Sequence, residues 1–159
     1  MYGPRDKDIY IIFKQFNKGL EPYIGKASQK LSFIYVKDLA NAAIKALYNG
    51  KQKAYNLSDG NFYDRYQLAD ITKHILSVKT WKFHLPVNFI KLVASFAEII
   101  GSLRRQTPVI NREKLNELTA TNWSCSIDEA QHDLGFYPRY DLEAGLIETI
   151  SWYKANAWL

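Results

Sequence analysis

A chain of 159 residues with 47% apolar and 14% aromatic side chains has the length and make-up of one domain with a packed core, which excludes a disordered tail. Its net charge of +5 comes from scattered Lys and Arg, with Arg104-Arg105 the one adjacent pair and no interleaving with aromatics, so it reads as a solvated surface and not a nucleic-acid platform. The longest apolar stretch, Leu85 to Ile100, is broken by Asn88, Lys91 and Glu98 and is too short to span a bilayer, and the lone Cys125 excludes an intrachain disulfide; a soluble, cytoplasmic protein is the expectation.

Tyr2-Gly3-Pro4-Arg5 has the make-up of a tight turn leaving a buried strand, yet no strand precedes it. Next, Ile9, Ile12, Phe13 and Phe16 recur at helical spacing, with Gly19 as the stop. The run Leu31-Ser32-Phe33-Ile34-Tyr35-Val36 predicts a strand. Asp38 is then read as the cap of a helix with Leu39, Ala42, Ala43, Ala46 and Leu47 on one face, ending at Asn49-Gly50. Ala54-Tyr55-Asn56-Leu57 predicts another strand, closed by a Ser58-Asp59-Gly60 turn, and Asp64 caps a helix carrying Tyr66, Leu68, Ile71 and Ile75. Trp81 to Leu85 predicts a strand, and Pro86 starts an apolar helix with Phe89, Leu92, Val93, Phe96 and Ile100 in step. Asn111 caps a helix through Leu118, and Ser126-Ile127-Asp128-Glu129 is a capping box for a helix that stops at Gly135. Asp141 caps the last helix, whose stripe is Leu142, Leu146, Ile150 and Tyr153.

The fold class predicted is α/β: a helix-rich, partial Rossmann-type lobe with three or four short strands, too few for a complete doubly wound sheet. Residues 1–159 read as a single unit without internal repeats or a linker.

Five segments carry a family resemblance: Tyr2-Gly3-Pro4-Arg5; Ser32-Phe33-Ile34-Tyr35-Val36-Lys37-Asp38-Leu39-Ala40; Ala54-Tyr55-Asn56-Leu57-Ser58-Asp59-Gly60; Asp133-Leu134-Gly135-Phe136-Tyr137-Pro138; and Leu142-Glu143-Ala144-Gly145-Leu146 with Trp152-Tyr153. In that order and at those separations the chain resembles the C-terminal, substrate-binding half of an extended short-chain dehydrogenase/reductase. That group contains NAD-dependent epimerases, dehydratases and 3β-hydroxysteroid-type dehydrogenases. The resemblance implies NAD or NADP as the cofactor of a complete parent protein, with hydride transfer at a hydroxyl carbon. It places Tyr2, Gly3 and Pro4 nearest the cofactor. It places Arg5, Lys30, Leu31, Phe33, Arg105 and Arg112 on the substrate side, with the loop from Leu103 to Asn111 closing over the ligand.

The departures bear on function. The Gly-rich turn that lets pyrophosphate approach a helix N-terminus is missing; Gly19 and Gly25 stand six apart around Glu21-Pro22. The family's catalytic Tyr-x-x-x-Lys pair belongs upstream of the Tyr-Gly-Pro turn. Tyr10 and Lys14 match the spacing on the wrong side and read as a helix-face coincidence, so no catalytic residue is assigned. The expectation is a fragment without its N-terminal NAD(P)-binding domain, binding no cofactor alone. Where sugar-nucleotide members carry a phosphate-gripping arginine this chain has Leu31, which points to a less charged small-molecule substrate.

Other constellations are bland. His74, His84, His132 and Cys125 lack metal-ligand spacing, and no Gly-x-Ser-x-Gly elbow is present. Asp128 and His132 are read as an exposed helical pair, and Tyr2, Tyr10, Phe83 and Trp123 as core before ligand wall. The alternative to an enzyme half is a non-catalytic binding module derived from that lobe. Either way, the apolar faces around Asp38–Leu47 and Ala54–Leu57 are expected to be bare, to meet the missing half, or to form a homo-oligomer.

Overall fold

A computed structural model describes residues 1–92, 95, 116 and 119–159. The strongest periodic signals become the helices: α1 (Lys7–Asn17), α2 (Val36–Asn49), α3 (Gln67–Leu76), α4 (Asp128–Leu134) and α5 (Leu142–Ala155). Residues 87–92 are also helical, starting at Pro86 as its fixed φ favours. The expected helix at 111–118, and Val93, Phe96 and Ile100, lie outside the described residues or in isolated fragments of them. Strands are short: β1 (Leu20–Ile24), β2 (Lys30–Leu31), β3 (Tyr63–Asp64), β4 (Trp81–Leu85) and β5 (Asn122–Trp123). β1 and β4 form a parallel pair in register Leu20 to Trp81 through Ile24 to Leu85. β2 sits between β3, antiparallel, and β5, parallel. The architecture is the helix-rich, partial α/β lobe that the sequence predicts.

One core cluster joins α1, α3 and α5. Ile9, Phe13 and Phe16 meet Leu142, Leu146, Ile150 and Tyr153, with Tyr2, Tyr35 and Ala69 between them. Complete burial of a side chain such as Phe13 contributes about 1.5–3 kcal/mol. A second cluster joins α2 to α4 through Ile34, Ala42, Ile127, Ala130, Leu134 and Phe136. Among the described residues no helix is long and apolar enough to cross a membrane.

Several local readings need correction. Residues 32–34 are not a strand; only Lys30–Leu31 pair in a sheet, and Tyr35 makes one isolated parallel bridge with Tyr2. Helix α2 starts at Val36, earlier than expected, so Asp38 is not its cap. Asp38 is buried in the first turn, and its Oδ2 accepts the backbone N–H groups of Arg139 (3.0 Å) and Tyr140 (2.9 Å). Residues 54–57 make no ladder; Tyr55 and Leu57 pack on the second cluster, but β propensity needs a partner strand and the described residues offer none. The expected capping box does not form: Ile127 holds the cap position of α4 without a side-chain bond, Ser126 Oγ accepts the N–H of Asp128 in a local turn, and Glu129 accepts from Lys53. His132 pairs with its neighbour Asp133 and not with Asp128. β1 went unread because Pro22 demotes a strand; a two-stranded sheet tolerates it.

Asp38→Ala leaves two part-buried N–H groups without an acceptor and is expected to cost about 2 kcal/mol in urea unfolding; Asp38→Asn, which keeps one carbonyl oxygen, costs about half as much.

Candidate functional site

The segment nearest the expected cofactor is tied into the core. Tyr2 donates its N–H to Ile34 O (3.0 Å) and accepts at its carbonyl from Val36 N (2.9 Å). Its hydroxyl donates to the carbonyls of Asp141 and Leu142, both at 3.2 Å. Burial first, then the carboxylate of Asp59, pushes the Tyr2 phenol far above its ordinary range. Gly3 is fixed by space: a Cβ there would lie 2.5 Å from Val36 Cγ1. Its carbonyl accepts from the Tyr153 hydroxyl (3.3 Å) and Asp6 N (3.2 Å). Pro4 is half-buried. Arg5 is exposed at a positive φ of 70°, with its guanidinium 5.8 Å from the centre of the Trp152 ring. Tyr10, the near-miss to a catalytic tyrosine, packs edge-on against Tyr153 and Trp158, with Lys14 over its ring.

Three of the residues expected on the substrate side come together. Phe33 stands edge-on to Tyr2 (6.3 Å between centroids) and tilted against Tyr63 (5.7 Å). Leu31 is half-buried and in register with Tyr63 on one side and Trp123 on the other. Lys30 is exposed, its ammonium 3.9 Å from the Phe62 ring centre. Phe62 and Trp123 each keep about half of their surface in solvent, so Trp123 is not core. Exposed aromatic faces beside a half-buried aliphatic side chain make a surface able to hold a planar ligand. Arg105 and Arg112, like the loop from Leu103 to Asn111, lie outside the described residues.

Asp59 lies behind this surface. It accepts the hydroxyl of Tyr63 and the N–H of Asn61 (3.1 Å). Burial raises its carboxyl above the ordinary value despite those two donors, and burial with Asp59 pushes the Tyr63 phenol to about 12. The same Tyr63 oxygen accepts Leu142 N at 3.3 Å. That hydroxyl is therefore engaged as donor and acceptor at once.

A second polar group on the β1–β4 pair escaped the sequence reading. The buried carboxylate of Glu21 accepts from Tyr23 (2.8 Å), Lys73 (3.0 Å) and Thr80, with Lys82 at 3.6 Å. Tyr66 Oη and His84 Nε2 are 3.0 Å apart, and His84 stacks on Tyr23. Arg65 donates to the carbonyls of Ala27 (2.6 Å) and Ile24 (3.0 Å), bracing the loop that leads from β1 to Lys30. Only β1 and β4 pairing in register brings Glu21 opposite Lys82, and no local pattern announces that. A separate groove of about 410 Å³ lies between α1 and the C-terminal tail, lined by Lys7, Tyr10, Ile11, Ala157 and Trp158; it contains none of the expected substrate residues.

No family model matches the chain. An uncharacterised protein of Sinorhizobium fredii, y4nG, is 30% identical over 98% of this chain and 38% of its own length. A ceramide reductase of Caulobacter vibrioides is 24% identical over 100% of this chain and 50% of its own. Among solved structures, the UDP-glucose 4-epimerase of Thermotoga maritima with UDP-glucose has a TM-score of 0.72 at 18% identity, over 98% of this chain and 44% of that one. The UDP-glucuronic acid 4-epimerase of Bacillus cereus in complex with NAD has a TM-score of 0.67 at 17% identity, over 98% and 42%. The chain thus spans half or less of the curated relatives it matches. Its fold is that of the NAD-dependent epimerase/dehydratase group of extended short-chain dehydrogenase/reductases, as the five sequence segments implied.

Glu21 gives a pH test. Burial alone would raise its carboxyl, but the bonds from Thr80, Lys73 and Tyr23 outweigh it and hold it below the ordinary 4.5. A carboxyl depressed on folding contributes stability that is complete above its unfolded value and is lost as pH falls through the folded one. The stability gap between wild type and Glu21→Gln in urea unfolding is therefore expected to be widest above about pH 4.5 and to shrink in more acidic buffer.

Proposed function

We propose that this chain is the substrate-binding lobe of an NAD(P)-dependent epimerase/dehydratase or dehydrogenase of the extended short-chain type, acting in the cytoplasm on a small molecule and inactive alone. The observation that carries the reading is the fold match over 98% of this chain to an epimerase of which it spans 44%. In this reading the dinucleotide is held by the other half of the parent protein. Among the described residues no Gly-rich turn joins a strand to a helix, and the backbone groups of Tyr2 are already paired. In this reading Tyr2, Gly3 and Pro4 form a packed wall beside the cofactor and do not grip it. Arg5, Lys30, Leu31 and Phe33 face the substrate, with Arg105 and Arg112 assigned to the same side by resemblance.

Leu31 supports a substrate with little charge, since an aliphatic side chain cannot hold a phosphate and the adjacent Lys30 already rests over Phe62. A neutral ketone, as in the steroid-dehydrogenase branch, suits that wall better than a nucleotide sugar. The second reading, a non-catalytic module, draws on the absence of a placed Tyr-x-x-x-Lys pair: Tyr10 is packed against Tyr153 and Trp158.

The test is a chimera in which residues 1–159 replace their counterpart in y4nG. It is expected to oxidise NADH or NADPH with a neutral steroid ketone, while the chain alone oxidises neither; a folded, cofactor-binding chimera without turnover favours the module. In the same chimera Leu31→Arg is expected to tighten UDP-glucose binding about tenfold by calorimetry, an added charge-assisted contact to phosphate being worth at least that. Micromolar UDP-glucose binding with Leu31 in place would overturn the preference for an uncharged substrate.

A further inference from the structure

The groove between α1 and the C-terminal tail plays no part in the functional reading above, yet its walls are firmly placed. Tyr10, Ile11 and Trp158 give it an apolar lining beside Lys7 and Ala157. Trp158 is held by three other rings: it stacks on Tyr153 (5.4 Å between centroids, 2° apart) and stands edge-on to Tyr10 (5.1 Å) and Trp152 (5.4 Å). Its backbone is fixed as well. Trp158 N donates to Tyr153 O at 2.9 Å, and Ala157 turns the chain at a φ of 57°, a conformation that costs an alanine more than a glycine. The rings thus stand in position without help from a ligand.

The charge beside this groove has one sign. Lys7, Ile11 and Lys14 follow one another along one face of α1 at spacings of four and three. The Lys14 ammonium lies 5.9 Å from the centre of the Tyr10 ring. Lys37, Lys51, Lys53 and Lys73 each pair with a carboxylate, whereas among the described residues Lys7 and Lys14 pair with none. The acids nearest in sequence do not answer them. Asp6 Oδ1 accepts the N–H groups of Asp8 and Ile9 at the start of the helix, and Asp8 stands about 100° round the helix from Lys7.

We propose that this groove is a binding site for a small planar aromatic carboxylate, its rings against Tyr10, Ile11 and Trp158 and its carboxylate facing Lys7 and Lys14. A volume of about 410 Å³ suits a molecule of one or two fused rings. Tyr10 and Trp158, 69° apart, offer such a ring the edge and offset contacts that aromatics prefer. A neutral hydrocarbon would leave both ammonium groups unanswered. A bare phosphate would leave Ile11, with 49% of its surface in solvent, uncovered. An aromatic acid meets both demands. The groove shares no residue with the expected substrate wall, so the proposal stands whether or not the oxidoreductase reading holds.

The probe is β-naphthoate, titrated into the intact chain and followed by calorimetry and by amide and indole NMR spectra. Saturable binding is expected with a Kd of about 1 mM or tighter, the range open to a ligand of about a dozen heavy atoms. The shifts are expected at the Trp158 indole and the amides of Tyr10 and Ile11. β-Naphthamide, with the same rings and no charge, is expected to bind about tenfold more weakly, each exposed lysine being worth about threefold. Lys7→Met is expected to weaken β-naphthoate about threefold and to leave β-naphthamide unchanged, a split that a merely distorted groove would not give. Ile11→Glu sets a repelling charge between the two lysines at an exposed position. It is expected to abolish β-naphthoate binding with the melting temperature unchanged. Equal affinity for acid and amide, or no effect of Lys7→Met, overturns the proposal. So does binding that has not saturated by about 10 mM, or that moves signals elsewhere in the chain instead.

Discussion

Tyr2 is the residue on which the two ends of the chain converge, and its position depends on two missing side chains. A Cβ on Gly145 would lie 2.1 Å from the Tyr2 hydroxyl, and one on Gly3 would lie 2.5 Å from Val36. With glycine at both positions, the tyrosine can lie flat between α5 and the start of α2, bonding to both through its hydroxyl and its backbone. Tyr153 completes the arrangement from α5 by donating to Gly3 O and to Asp6 O at 2.6 Å, which fixes the entry to α1. The first cluster of the core is organised around this contact, and so is the aromatic wall of Phe33 and Tyr63 in front of it.

Helices with a dense stripe were legible because an apolar face of period 3.6 specifies itself locally. The α5 stripe of Leu142, Leu146, Ile150 and Tyr153 is buried as expected, and Asp141 caps it by accepting Ala144 N at 2.8 Å. Asp64 does not cap α3, whose cap position is Tyr66; from the end of β3 it accepts Tyr66 N and Gln67 N just ahead of the helix. Strands were less legible because a strand is a relation between two segments. Residues 32–34 and 54–57 have suitable side chains and no ladder, whereas Pro22 sits in β1 because β4 pairs with it. Asp38 misled for a different reason. Its short carboxylate suits an N-cap, but the nearer demand comes from two backbone N–H groups about a hundred positions downstream.

The candidate site divides along the same line. Lys30, Leu31 and Phe33 were singled out together because the resemblance marks a contiguous stretch, and the structure sets them side by side. Asp59, Tyr63 and the Glu21 group could not, since their partners are brought in by packing: Glu21 meets Lys73 and Thr80 across 52 and 59 positions. Such a buried carboxylate is satisfied only when several donors converge on it, so the group fixes how α3 sits against the β1–β4 pair. The site's front is thus written in one stretch of sequence, and its support is distributed over the fold.

The Asp38 contact has a mechanical consequence. It joins the first turn of α2 to residues 139 and 140, and the next two residues supply the carbonyls that hold the Tyr2 hydroxyl and the N–H that meets Tyr63. A single carboxylate thus ties the start of α2 to the backbone that anchors the rear of the aromatic wall, so the placement of that helix and of the wall share one fixed point.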